Sequence, residues 1–580
     1  MRAPFFLFVP LFLTACGPSE PSPFAGQAAV VDPASSSSVD SGLLDTGTAA
    51  DTAGEGTTPG TVDTADGSGT ADDACQSGTV IELTTGPVEG VVEGDLRVFR
   101  GIPYAAPPTG ALRLRDPQPV TPWSDVRDAS AFGHACPQST VAVLDWLSQV
   151  DDTDEDCLTL NVWAHDDGTK KPVMVWLHGG AFFYGAGSQD LYDGTAIASE
   201  DVVMVSINYR LGALGFLAHP ELGAQVGNDN PGNFGLKDQV AALQWVHDNI
   251  AAFGGDPSNV TVFGESAGAI STCVLATLPQ TDGLMHKAIG QSIVGCHALP
   301  SATVAGAIGG LAPAELAADA VESLGCDEAP DLLACLQELP ADDFVGLVNT
   351  AGLLSDPHTA FPTPYIDGSF VPEPPAEVYA RGEADLPMIV GTNGDEATMF
   401  LSLAAPLTWL GMDDAVDELL GTDAYTEGVL ERYPVWDYLL PADAFLTFAT
   451  DGMFSCPNRA LADAASPGAP VFLYEFQERS LTTLALGSHH ALELPYVFDT
   501  YASMGMLLPP ASDVALGDTM RVAWTHFAHT GTPGTQGWEP WQPGGTWMRF
   551  DDASSPSSAP FREGRCDALE EIGLGTLAPF

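Results

Sequence analysis

The sequence predicts an α/β fold, a mostly parallel central sheet covered by helices and built as one large domain. Three observations predict it. Short β-branched runs, Val173-Met174-Val175-Trp176-Leu177 and Val202-Val203-Met204-Val205-Ser206-Ile207, alternate with helical stretches such as Leu236 to Ile250. That alternation suits strands buried between two layers of helices. Apolar residues make up 45% of the chain, ample for a large core. The third observation is NVTVFGESAGAIS, residues 259 to 271, where a strand pattern runs into Gly-Glu-Ser-Ala-Gly and then into small residues that suit a helix start.

In chain order, residues 1–15, MRAPFFLFVPLFLTA, carry one positive charge and an apolar run too short to span a bilayer. They read as a signal peptide. The junction Leu13-Thr14-Ala15-Cys16 resembles the lipobox of bacterial lipoproteins, which implies lipidation of Cys16 and cleavage just before it. Gly17 is not the aspartate that commonly retains such proteins at the inner membrane, so the resemblance favours the outer membrane of the bacterial envelope. A plain secretory signal is the alternative, and both readings export the chain. Residues 16–75 are rich in Ser, Thr, Asp, Gly, Ala and Pro, and from Gly17 to Ala74 contain no Lys or Arg. Such a segment buries too little apolar surface to offset its ordering entropy and is expected to act as a disordered, self-repelling tether. Residues 76–580 then form the single large domain, with no tandem repeat.

Seventy-seven acidic residues against nineteen basic ones give a formal charge of −58. Nucleic acid is excluded as a partner, because binding it needs a basic surface that displaces counterions. The acidity steers towards neutral or cationic small molecules, although a solvated, salt-adapted surface is the plainer explanation.

Gly-x-Ser-x-Gly is weak alone, since 61 glycines supply roughly half a match by chance. Its strand-turn-helix context gives it weight. Acyl transfer by a serine needs an exposed nucleophile, a base, a carboxylate that orients the base, and N–H donors for an oxyanion. Ser266, flanked by Gly264 and Gly268, fits a tight turn that lifts its hydroxyl into a cleft. Upstream, Leu177-His178-Gly179-Gly180-Ala181-Phe182 follows a strand directly, and its glycine pair bares backbone N–H groups.

The run GNFGLKDQVAALQWVHDNIAAFGGDPSNVTVFGESAG, residues 232 to 268, resembles the signature of the type-B carboxylesterase/lipase family, which includes the cholinesterases. EDCLTLNVW, residues 155 to 163, is similar to its second signature, and the likeness extends from about Val80 to WTHFAHTGTP. The resemblance implies an α/β-hydrolase fold, ester hydrolysis through a Ser-Glu-His triad and an acyl-enzyme, and no metal or organic cofactor. Carried over residue by residue, the nucleophile is Ser266, the acid is Glu396 in IVGTNGDEATMF, and the base is His490 in HHALELPYVF, three residues before Glu493. Asp395 and His489 are the neighbouring competitors. Gly180, Ala181 and Ala267 are the implied oxyanion donors. Three departures stand out: Ala181, Ile293 and Ala397 occupy positions where the family commonly has glycine.

The resemblance further implies disulfides Cys136–Cys157 and Cys326–Cys335 in an oxidising compartment. The remaining pairings stay open. Joining Cys75 to Cys566 ties the ends of the domain, Cys296 and Cys456 then pair by elimination, and Cys273 is the expected buried thiol. Glu155 and Arg210 sit where the family often has an internal ion pair. Trp146 lies roughly where cholinesterases place a tryptophan against a quaternary ammonium, with plain loop packing as the preferred reading. Two functions compete on this fold: an ester hydrolase, with short or medium acyl chains ahead of the longer chains of a lipase, and a non-catalytic surface-binding protein. Having both nucleophile and base favours the enzyme.

Overall fold

The computed structural model describes residues 79–138, 150, 152–165, 167–226, 232–296, 299–304, 311–347, 363–401, 411–420, 422–479 and 486–574. The signal sequence, Cys16, the tether, Cys75 and Trp146 lie outside the described residues. In chain order the strands are β1 (Val80–Leu83), β2 (Gly86–Glu89), β3 (Val91–Glu93), β4 (Leu96–Pro103), β5 (Arg127–Asp128), β6 (Thr159–His165) and β7 (Lys171–Leu177). They continue with β8 (Val203–Ile207), β9 (Gly255–Glu265), β10 (Lys287–Gln291), β11 (Met388–Asn393), β12 (Val471–Phe476), β13 (Trp547–Phe550) and β14 (Ser555–Ser557).

Eleven strands form one sheet in the order β14-β13-β12-β11-β10-β9-β7-β8-β6-β4-β3. From β13 to β8 every neighbouring pair is parallel, whereas β14 at one edge and β6, β4 and β3 at the other run antiparallel. Every residue of β7, β8, β10, β11 and β12 is buried. This is why these strands are mostly apolar instead of alternating: helices cover both faces, and the polar residues, such as Lys171, Gln291 and Asn393, fall at strand ends. The strand runs read from the sequence coincide with β7 and β8, and the helical stretch becomes the helix Phe234–Asn249.

Cross-links between distant segments brace the sheet. Cys136 pairs with Cys157 and Cys326 with Cys335. Two pairings differ from expectation. Cys273 is not a free thiol but bonds Cys296, and Cys456 bonds Cys566, not Cys296. The reason is topological. The helix Ala267–Leu275 packs beside β10, and the helix Cys456–Ala465 is joined to the helix Arg565–Glu571 by Arg459, which pairs with Asp567 and Glu570. Spacing along the sequence carries no trace of either neighbour. The ion pairing also differs: Glu155 binds Arg113, with Nη2 to Oε2 at 2.5 Å, while Arg210 forks onto buried Asp238 at 2.7 and 2.8 Å. Arg210 therefore already has a carboxylate partner, and Arg113 reaches Glu155 instead.

Candidate active site

The parallel strands end at one edge of the sheet, where open α/β sheets bind their ligands. Strand β9 ends at Glu265, and the chain turns at once through Ser266 into the helix Ala267–Leu275. Ser266 has φ 53° and ψ −121°, a sparsely populated conformation that costs roughly 1–3 kcal/mol and needs rigid surroundings. Those surroundings are backbone. A Cβ at Gly268 would lie 1.9 Å from Leu177 O, and one at Gly264 would lie 2.5 Å from Gly268. The Ser266 N–H donates to Gln291 O at 3.0 Å, which pins the turn to β10.

The loop after β7 closes over this turn. A Cβ at Gly179 would stand 2.7 Å from Glu265 Oε2 and 3.3 Å from Ser266 Cβ, so only glycine lets the two segments touch. Gly180, Ala181 and Phe182 all have positive φ, at 108°, 49° and 63°. The methyl group of Ala181 is accommodated despite that geometry. The N–H groups of Gly180, Ala181 and Ala267 have no hydrogen-bond partner among the described residues. Tyr209 secures the loop from below, its hydroxyl donating to His178 O at 2.7 Å and its ring stacked on His178 at 4.4 Å. Burial pulls the His178 ring down to about 4, so it is neutral.

Glu396 follows β11 and is fully buried. Its Oε1 accepts from Asn393 N–H at 2.7 Å and from the Thr392 hydroxyl at 2.9 Å, leaving Oε2 for His490 Nδ1 at 2.7 Å. A carboxylate only accepts, so Nδ1 carries a proton and Nε2, on the far side of the ring towards Glu265, is left as the nitrogen that can act as base. Asp395 does not touch the ring; its carboxylate accepts from Ser488 N–H and Arg479. His489 turns its Nδ1 towards His490 O at 2.7 Å, within the loop. Of the departures, Ala397 is buried with its N–H donating to Thr450 Oγ1 at 3.1 Å. Ile293 packs against Gly290, and the bend it follows is taken by Ser292 at φ 55°.

Two features escaped the sequence. Glu265 Oε1 lies 3.0 Å from His490 Nε2, an ionic contact without hydrogen-bond alignment. The signal was in view as the variable residue of Gly-x-Ser-x-Gly, a carboxylate ending an apolar strand. Burial alone lowers the His490 pKa, but Glu265 and Glu396 together outweigh it and hold the ring well above the usual histidine range. Phe400 and Phe454 also flank the imidazole, at 4.9 and 5.1 Å between ring centroids. Phe454 sits in a single π-helical turn, Asp451–Ser455, that no periodicity announces. Glu493, known from the sequence only as a spacing mark, is buried behind the ring and held by Gln291 and Asn393.

A serine on a strained strand-to-helix turn, beside a buried His-Glu pair and a loop of free N–H groups, defines a serine hydrolase of the α/β-hydrolase class. The Carboxylesterase family matches residues 77–566, and the chain belongs to that family. It is 36% identical over 463 residues to the para-nitrobenzyl esterase of Bacillus subtilis (strain 168), covering 78% of this chain and 90% of that one. It is 36% identical over 471 residues to the fumonisin B1 esterase of Sphingopyxis macrogoltabida, covering 77% of this chain and 81% of the other. Among solved structures, a thermophilic PNB esterase superposes with a TM-score of 0.74 at 33% identity, over 84% of this chain and 99% of its own. The protein is a carboxylic-ester hydrolase.

Proposed function

We propose that Ser266, His490 and Glu396 are the nucleophile, base and orienting acid of this esterase. The observation that carries the assignment is the buried 2.7 Å bond from His490 Nδ1 to Glu396, with only β10 between β11 and the strand that ends at the strained Ser266 turn. His490 Nε2 takes the Ser266 proton as Oγ attacks the ester carbonyl, and Glu396 stabilises the imidazolium. The N–H groups of Gly180, Ala181 and Ala267 receive the oxyanion; losing one such donor typically costs roughly 3 kcal/mol of barrier stabilisation. The alcohol leaves with the proton from His490, and water, activated the same way, releases the acid from Ser266. An organophosphonate is expected to label wild-type Ser266 one-to-one. Ser266→Ala is expected to lose both label and turnover while staying folded; retained turnover overturns the assignment.

For substrates, the reading is an uncharged ester with a short or medium acyl chain, with longer-chain lipids second. The relatives are named for para-nitrobenzyl esters and fumonisin B1. A surface of formal charge −58 disfavours anionic esters. We further propose that residues 1–15 are a signal peptide, that Cys16 carries the lipid, and that residues 16–75 tether a domain spanning 76–580 to the outer membrane. The support is the short apolar run ending at Leu13-Thr14-Ala15-Cys16 and the base-free stretch behind it.

A further inference from the structure

We infer that Asp395 is a positioning residue that holds the loop bearing His490 in register with Glu396; the inference rests on the triad reading. Residues 393–398 and 486–490 lie side by side and are joined at three levels. Asn393 Nδ2 donates to His489 O at 2.8 Å, and Thr398 Oγ1 donates to Leu486 O at 2.6 Å. Between them Asp395 and Ser488 bond reciprocally: Asp395 N–H donates to Ser488 O at 2.9 Å, and Ser488 N–H donates to Asp395 Oδ2 at 2.9 Å.

The reciprocal pair stands one residue from Glu396 and two from His490, so any shift in it is transmitted to the 2.7 Å bond between them. A charged acceptor makes it the strongest of the three ties. Arg479 Nη2, on an exposed side chain, adds a contact to the same Oδ2 at 3.2 Å. Gly487 shows how closely the carboxylate is seated: φ is +63°, and a Cβ there would lie 2.1 Å from Asp395 Oδ2. Asp395 therefore acts on the acid and base from outside, through backbone, and touches neither reacting atom.

The test is steady-state hydrolysis of p-nitrophenyl acetate by the full chain. Asp395→Ala is expected to lower kcat roughly 10- to 100-fold with KM within about 3-fold, the size expected when a catalytic group is displaced by about 1 Å. Asp395→Asn keeps an acceptor for Ser488 N–H and is expected to restore kcat to within about 3-fold of wild type. Gly487→Ala, which pushes the carboxylate off its seat, is expected to reproduce the Asp395→Ala loss and probes the same tie independently. In a Glu396→Gln background the Asp395→Ala penalty is expected to shrink below about 3-fold, because the bond it protects is already impaired. Wild-type kcat in Asp395→Ala, or equal penalties in both backgrounds, overturns the positioning role. Wild-type turnover in His490→Ala overturns the triad itself.

Discussion

Glu265 and His490 stand 3.0 Å apart where β9 ends, so the imidazole lies between two buried carboxylates. Burial pushes the Glu265 carboxyl up, and the His490 charge pulls against it. For catalysis His490 must start neutral, and a raised pKa moves the acid limb of activity to higher pH. Glu265→Gln removes one of the two charges that hold the proton. The acid limb of kcat/KM is therefore expected to move to lower pH. A limb that stays in place shows that Glu265 does not act on the ring.

The adjacent histidines separate cleanly. His490→Ala is expected to lower kcat by roughly 10⁴-fold, and Glu396→Gln to impair it through loss of imidazolium stabilisation. The His489 ring turns Nδ1 towards His490 O and takes no part in the His490–Glu396 bond, so His489→Ala is expected to cost far less. The reverse ranking by single-turnover kinetics shifts the base by one residue.

Glu493 links pH to stability. Burial, then Glu265 and Glu396, push its carboxyl from 4.5 up to about 8. Between those values the folded chain keeps a proton that the unfolded chain has lost. Its contribution is thus complete below about pH 4.5 and falls as the pH rises to about 8, by on the order of 5 kcal/mol. Glu493→Gln is expected to flatten that decline. Urea midpoints of wild type and variant at pH 5 and pH 8 measure it, and parallel declines in both proteins refute it.

Arg562 is buried between Asp451 and Glu475 and also donates to Gly394 O at 3.0 Å. It ties the π-helical turn to β12 and to the loop bearing Glu396. Arg562→Met leaves buried Glu475 without a cation, while Asp451 keeps Arg565, and an expected loss of roughly 3–5 kcal/mol follows. Denaturant unfolding checks it; a loss under about 1 kcal/mol would mean that the cluster is already neutral or hydrated.

The anchor is checked by partition. The native protein is expected in the detergent phase, and Cys16→Ser is expected to give unprocessed or mislocalised chain. A chain truncated to begin at Cys75 is expected to be soluble and fully active, because Ser266, Glu396 and His490 lie beyond it. Wild-type protein free in the medium, with an unmodified N-terminus downstream of Cys16, overturns the lipidation.

The sheet was legible because burial on both faces leaves nothing to interrupt β7 and β8, so their apolar runs announce themselves. The turn at Ser266 was legible because close backbone contacts demand glycine at 264 and 268. Contacts between remote segments were not. Nothing local tells Cys566 that Cys456, and not Cys75, is its neighbour, or tells Glu155 that Arg113 will reach it before Arg210. Glu265 was hidden differently: its role depends on which loop closes over the strand end, and that is a property of the fold as a whole.

The crowding of Gly264 and Gly268 by backbone, and of Gly179 by the Glu265 carboxylate, has a consequence for anyone reshaping this enzyme. A Cβ at any of the three would meet a heavy atom at 2.7 Å or less, so substitutions there are expected to disturb the Ser266 turn. Phe400 has more latitude, because it is only partly buried and packs against His490 from the side, whereas Phe454 is a core residue. Variation at Phe400 can redraw the wall beside the base without moving the peptide bonds that hold Ser266. A library aimed at new esters therefore belongs first on that position, with the glycines left as they are.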